Sequence, residues 1–366
     1  MPTTTGRPAS SPPEPTRSFA SKSKAVPPPK SVVPADSPLL LAYKEDIHPR
    51  QLTYRMQKRQ GLGDLQDLLA LYEHKLDHIA VAAALTRLYR LQKHDPGYTE
   101  ARASALLEQI SLRLNKNKVM EFVDFRTAST CLWALAGLKL AVPQTLVMRL
   151  LGKAATFQPK MDRAPPRRVA LVAWAASKLL AHSQAGTPAK LKGYLDTIAA
   201  SSMQRFHQFS PRDMAMLLLA FAAFKPAQDH QALFIGAAQA ELKRIGDLSQ
   251  QQYEPGDYVG LLKAFAEAKL GPVDALFGAV AKELVHEVRG TLYQFQPHQL
   301  LLLVEAYAAA GVRDPALMGA VARAVALALP QLGGDTVMRL RAAFVLLESW
   351  SPDLEAAVPK GLQVKQ

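Results

Sequence analysis

FSPRDMAMLLLAFAAF, residues 209–224, decides how the chain is read. A serine, then a proline, then an acid ahead of an apolar run are the start signals of an α-helix. Ser210 is the N-cap, Pro211 stands where a missing N–H is harmless, and Asp213 adds negative charge to the first turn. Phe209 and Met214 have the spacing of a hydrophobic staple across that start. The phrase returns as YEPGDYVGLLKAFAEA from Tyr253 and FQPHQLLLLVEAYAAA from Phe295, where Tyr253 with Tyr258 and Phe295 with Leu300 repeat the pair. Each copy carries an aromatic flanked by alanines, small residues that let helices approach while the ring fills the space between them.

Aligned on that aromatic, the units fall at Tyr89, Trp133, Trp174, Phe221, Phe265, Tyr307 and Phe344, a recurrence about every 40 residues that is the mark of a repeat array. The second half of each unit repeats as well: ALFIGAAQAEL from Ala232, ALFGAVAKEL from Ala275 and ALMGAVARAV from Ala316. Each unit is therefore two helices, A then B, joined by turns such as FKPAQDHQ and AGVRDP. The expected fold is all-α: a right-handed α-solenoid of about six helix-pair repeats over residues 77–350. Residues 37–76, with the helical period of LGDLQDLLALYEHKL (62–76), are expected to cap its start, and residues 351–366 form a tail too short for another domain.

Residues 1–36 are a separate object, rich in Pro, Ser and Thr, with Arg7, Arg17, Lys22, Lys24 and Lys30 against Glu14. Such a segment cannot build a core and lacks the apolar stretch of a secretory signal. Its basic, acid-poor, hydroxylated character is that of an organelle transit peptide, with an ordinary disordered tail as the alternative. The body differs: over the 366 residues 49% are hydrophobic, enough for a large core. The single cysteine, Cys131, lies in an apolar run and reads as a small core residue; it provides no disulfide framework and no cysteine zinc site, which points to a reducing compartment. Lys and Arg number 44 against 31 Asp and Glu, a formal charge of +13, which favours a polyanionic partner. No run of ~18 uncharged apolar residues marks a membrane span. Nucleophile elbows, phosphate loops and dinucleotide fingerprints are all missing, so the chain reads as a non-enzyme without cofactor or small-molecule substrate. His74 and His78, four apart with Asp77 between, have helical metal-ligand spacing, but no acid follows the first and no third ligand joins them, so they read as a solvated pair.

Three segments, LLALYEHKLDHIAVAAALTRLYRL, FRTASTCLWALAGLKL and FSPRDMAMLLLAFAAF, give the region from Leu62 to Trp350 a resemblance to the octotricopeptide-repeat proteins of algal organelles. The same segments are similar to the related leucine-rich repeats of FAST-kinase-like and RNA-editing substrate-binding complex proteins. The resemblance implies binding of organellar mRNA or rRNA in the mitochondrial matrix or, alternatively, the chloroplast stroma, in transcript stability, processing, translation or ribosome assembly. Many such proteins end in a nuclease-like RAP domain; here only some twenty residues follow Phe344, and the PDLE at 352–355 lacks the strands that would make it a carboxylate site.

Contacts to RNA are expected in two sets. Four places after the central aromatic stand Lys93, Lys178, Lys225 and Lys269, with Gly137 and Gly311 in the other units, a ladder suited to phosphates. Lysine near a helix C-terminus is also simply favoured by the helix dipole. Arg126, Arg167, Arg168 and Arg212, with His298, occupy the first turn of helix A, where positive charge opposes the dipole and so asks for a further reason. Trp133, Trp174 and Phe221, at fixed positions among alanines, read as core and not as base-stacking platforms. The rival reading is a solenoid that binds protein, as a scaffold or an accessory subunit of an organellar ribosome or other ribonucleoprotein, which a continuous apolar groove would favour over a positive stripe.

Overall fold

The structure is a computed structural model that describes residues 47–156, 161–180, 189–224, 227–247, 253–286 and 292–358. Residues 1–46, Lys225 and 359–366 lie outside it, and with them the tail reading and one rung of the lysine ladder. Among the described residues every regular element is helical. In chain order they are α1 Pro49–Lys58, α2 Leu62–Leu71, α3 His78–His94, α4 Glu100–Asn115, α5 Asn117–Glu121 and α6 Phe125–Gly137. There follow α7 Gln144–Thr156, α8 Pro166–Leu180, α9 Ala189–Met203, α10 Pro211–Ala222, α11 Gln231–Gly246 and α12 Pro255–Ala268. The last five are α13 Val273–Leu284, α14 Pro297–Ala310, α15 Pro315–Ala326, α16 Gly334–Leu346 and α17 Pro352–Ala357. None of these helices is long and apolar enough to cross a membrane.

The helix starts carry the chemistry read from the sequence. Ser210 Oγ accepts the Asp213 N–H at 3.2 Å and donates to its carboxylate at 2.8 Å. Glu254 with Asp257 and Gln296 with Gln299 form capping boxes at α12 and α14. Tyr253 stacks on Tyr258 at 4.7 Å, and Phe209 and Met214 are buried, so the staples hold. Gly311 ends α14 in the left-handed region, and Asp314 then caps α15 by accepting the Leu317 N–H at 2.9 Å.

Packing runs in two series. The longer contacts join α1, α3, α6, α8, α10, α12, α14 and α16, each to the next, while α7, α9, α11, α13, α15 and α17 form a second series behind them. Helices of the first series run the same way. Arg168 of α8 reaches Ser129 in the early turns of α6 at 3.4 Å, and Asp257 at the start of α12 feels Arg212 and Asp213 at the start of α10. At the other end the Lys139 N–H bonds Gln92 of α3 at 2.9 Å.

Arginines at the ends of α4, α9 and α11 reach back to the turns ahead of α3, α8 and α10, a device the sequence reading did not find. Arg113 donates twice to Leu76 O ahead of α3, at 2.8 and 3.1 Å. Arg205 donates to the carbonyls of Met161, Asp162 and Ala164 ahead of α8, at 3.1, 2.5 and 2.9 Å. Arg244 donates to Phe206 O and Phe209 O ahead of α10, at 3.3 and 2.8 Å. These carbonyls lie in the turns ahead of the first-series helices, where Met161 O and Phe206 O each accept one turn N–H as well, and a five-donor guanidinium reaches several of them at once. Arg244 also pairs with Glu241, which is fully buried and accepts the Tyr253 hydroxyl. Burial raises the Glu241 carboxyl above its ordinary range, against the pull of Arg244 and Tyr253.

The core is aliphatic and aromatic, and Phe221, Phe265, Tyr307 and Phe344 are its largest shared feature, each fully buried. Truncating any of them to alanine would cost about 3–5 kcal/mol. Cys131 is buried as expected, and burial pushes its thiol up to about 12, so it stays protonated. His74 and His78 do not share a helix: His74 lies in a short 3-10 turn, and His78 opens α3 and stacks on Phe122. The PDLE segment is helical in α17, where Glu355 accepts the Trp350 indole N–H at 2.8 Å.

Candidate nucleic-acid interface

Register counted from each helix start corrects the alignment on aromatics. Trp133 and Trp174 are the ninth residues of α6 and α8, whereas Phe221, Phe265, Tyr307 and Phe344 are the eleventh residues of α10, α12, α14 and α16. Two residues rotate a helix by about 200°, so the two groups face nearly opposite ways. The eleventh position points into the core in α6 and α8 too, where it holds the fully buried Leu135 and Ala176. Trp133 and Trp174 are partly exposed. Both indoles are thus largely but not wholly covered, whereas Phe221 is fully buried.

The outward stripe of the first series consists of the second, sixth, ninth and thirteenth residues of each helix, the 3.6-residue period of one face. In α6 it reads Arg126, Thr130, Trp133, Gly137; in α8, Arg167, Leu171, Trp174, Lys178; in α10, Arg212, Met216, Leu219 and then Ala223 beyond the helix end. Arg126, Arg167 and Arg212 are thus one row of exposed guanidiniums along the starts of three adjacent helices, and Arg168, half-buried beside them, is turned to Ser129. The three side chains in the row make no hydrogen bond or ion pair among the described residues. Backbone N–H groups at helix starts add to the positive potential there.

The lysines do not form a single row. Lys93 lies at the end of α3 with its ammonium 4.9 Å from the Tyr89 ring centre, and Lys178 is the exposed thirteenth residue of α8. Lys269 stands two places further along its own helix register and caps α12 in the left-handed region, at φ 55°. The misplacement follows from the two-residue slip in the aromatic alignment. Lys225 lies outside the described residues.

Charge is partitioned by element. Helices α3, α6, α7 and α8 contain Arg87, Arg90, Lys93, Arg126, Arg149, Lys153, Arg167, Arg168 and Lys178 and no acidic residue. In α12, α13 and α14 the balance reverses: Lys263 and Lys282 face Asp257, Glu267, Asp274, Glu283 and Glu305. The outward residues there pair among themselves, Lys263 with Glu267 at 3.7 Å and Arg339 of α16 with Glu305 of α14 through two bonds of 2.8 and 2.9 Å. Charge counted helix by helix was the signal that would have found this division; the overall +13 conceals it.

A second basic surface lies on the other series. A groove of about 400 Å³ is lined by Met120, Met148, Arg149, Gly152, Lys153, Thr156, Lys190 and Tyr194. Arg149 donates to the carbonyl and side-chain oxygens of Asn115, and Lys153 to the Glu121 carbonyl. Gly152 keeps the groove open, since a Cβ there would lie 2.8 Å from the Tyr194 hydroxyl.

Together these features define an all-helical protein in which four helices, α3, α6, α7 and α8, carry basic residues and no acidic one. The sequence matches no protein-family model and no curated protein.

Proposed function

We propose that the chain is an organellar RNA-binding protein and not an enzyme: an α-solenoid of helix pairs with a period near 40 residues, holding mRNA or rRNA against a basic face. The observation that carries this reading is the row of exposed arginines, Arg126, Arg167 and Arg212, of which the first two lie on helices without a carboxylate. Phosphate neutralisation dominates nucleic-acid affinity, and exposed guanidiniums supply it. The transit-like composition of residues 1–36 supports an organellar site; the resemblance to octotricopeptide-repeat proteins favours the mitochondrion, with the chloroplast as the alternative, and roles in transcript stability, processing, translation or ribosome assembly.

The test is binding of short single-stranded RNA by anisotropy across a salt series. Binding is expected to weaken with salt. Arg126→Glu, Arg167→Glu and Arg212→Glu together should flatten the log–log slope by about 2, at ~0.7 per phosphate contact on a single strand. Glutamates at Arg149, Lys153 and Lys190 should leave the slope unchanged. Salt-independent binding, or none, rejects the reading; loss in the second variant alone moves the interface to the groove.

One observation favours a protein-binding scaffold or ribonucleoprotein subunit as the second reading: Leu327, Met338, Val345 and Leu346 are exposed together around α15 and α16. Exposed apolar residues gathered at one end are the chemistry of a protein contact.

A further inference from the structure

The ninth-position row leads to a narrower statement, which rests on the RNA reading above. Across the first series that position holds Trp133, Trp174, Leu219, Lys263, Glu305 and Ala342. A place that accepts lysine, glutamate and alanine makes no packing demand for an indole. Its two tryptophans fall on adjacent helices, α6 and α8, that contain no acidic residue, each seven residues from an arginine of the row, about 10 Å along the axis.

Trp133 is also held in place. The Tyr89 ring meets it edge-on at 5.0 Å and 78°, and Tyr89 can lie there only because residue 137 is glycine, where a Cβ would come within 2.4 Å of that ring. An indole fixed by an edge contact loses little freedom when a second ring stacks on its open face.

We propose that an unpaired nucleic-acid strand crosses α3, α6, α8 and α10, with bases stacked on Trp133 and Trp174 and phosphates along Arg126, Arg167 and Arg212, and that α12, α14 and α16 take no part. Every base has a π face, so stacking serves any sequence, and the platforms select single strands because duplex bases are already stacked on one another. Neighbouring helices are about 8–10 Å apart, so the strand must open its own stacking between the two platforms. The second half offers no indole on this face, and its outward Lys263, Glu267, Glu305 and Arg339 pair with one another.

The protein has three tryptophans, Trp133, Trp174 and Trp350, and the last is bonded to Glu355 near the far end. In a Trp350→Phe background, fluorescence therefore reports on the two platforms alone. Titration of the full chain with a ten-nucleotide homopolymeric RNA should quench that fluorescence with the midpoint seen by anisotropy of labelled RNA, and a duplex of equal length should not quench it. Trp133→Ala and Trp174→Ala should each weaken binding about ten- to hundredfold. The corresponding phenylalanine variants should keep most of the affinity, and Lys263→Glu should change nothing. RNA that binds by anisotropy with fluorescence untouched and both alanine variants at wild-type affinity would overturn the stacking proposal and leave the basic-face reading standing. No binding of any nucleic acid, with a protein partner shielding Trp133 and Trp174 from a soluble quencher, would overturn both in favour of protein docking.

Discussion

The helices before α11 and those after it share a start signal and a packing scheme, yet they treat their outward face differently. In α6 and α8 the large ring is the ninth residue and partly exposed, and the buried eleventh place holds Leu135 or Ala176. In α12 and α14 the ring is the eleventh residue and buried, and the ninth place holds Lys263 or Glu305, each engaged in an ion pair. Moving an aromatic by two residues exchanges a core contact for a surface one without altering the helix. On the outward stripe, Arg126, Arg167 and Arg212 make no ion pair among the described residues, whereas Lys263, Glu267, Glu305 and Arg339 pair with one another, and exposed pairs add little stability.

α11 joins the two halves, and the largest effect is expected there. Arg244 holds the turn ahead of α10, Glu241 holds Tyr253 ahead of α12, and Tyr253 stacks on Tyr258. Glu241→Ala would leave a buried guanidinium and a buried hydroxyl without their acceptor, at a cost of about 3–5 kcal/mol. Because arrays are held by nearest-neighbour contacts, the loss should also divide one denaturant transition into two. Unfolding of the Trp350→Phe chain, followed by circular dichroism and by tryptophan fluorescence, tests this, since Trp133 and Trp174 then report only the first half. Coincident transitions at wild-type stability would show that α11 is not the joint.

Much of this architecture is legible in the chain. Ser210, Asp213, Glu254 and Gln296 announce their helices because capping is local, decided within four residues. Phe221 is legible as core for the same reason: its spacing from Ser210 fixes its face. What misleads is the assumption that a recurring aromatic keeps one register. Tryptophan and phenylalanine are alike in hydrophobicity, and only the count from Asp124, the N-cap of α6, distinguishes an inward Phe221 from an outward Trp133. The arginine clamps were hidden for another reason. Arg205 and Met161 are joined across the fold, and no local pattern marks an arginine that will meet carbonyls forty residues away.

A smaller effect would sharpen the contrast from the first half. Gly137→Ala places a methyl against the Tyr89 ring and should turn that ring away from Trp133, at a cost of about 1–3 kcal/mol. Trp133 emission should shift as its edge contact is lost, and the cation–π contact of Lys93 with Tyr89 should go with it. An unchanged spectrum would mean that the glycine gives room the tyrosine does not need.

The smallest effect belongs to the first half's side of the joint. His230 is buried with its ring edge-on to Phe221 at 4.7 Å. Burial lowers its pKa below the ordinary 6.5, with Asp196 pulling it up, Lys192 pushing it down and Asp229 pulling it up in turn. The unfolded chain thus holds the proton more tightly than the folded one, so the contribution is complete above the unfolded pKa and is lost as pH falls through the lower folded value. Denaturant stability measured from pH 7.5 to 5 should fall more steeply for the wild type than for His230→Gln, which has no proton to take up at that site. Parallel curves would show that the imidazole stays neutral or finds a compensating acid. The Trp133 and Trp174 indoles carry no titratable group, so under the proposed stacking RNA affinity per folded molecule should hold over this range. Stability that declines with pH while that affinity holds would separate the contribution of His230 to the fold from the proposed contacts to RNA.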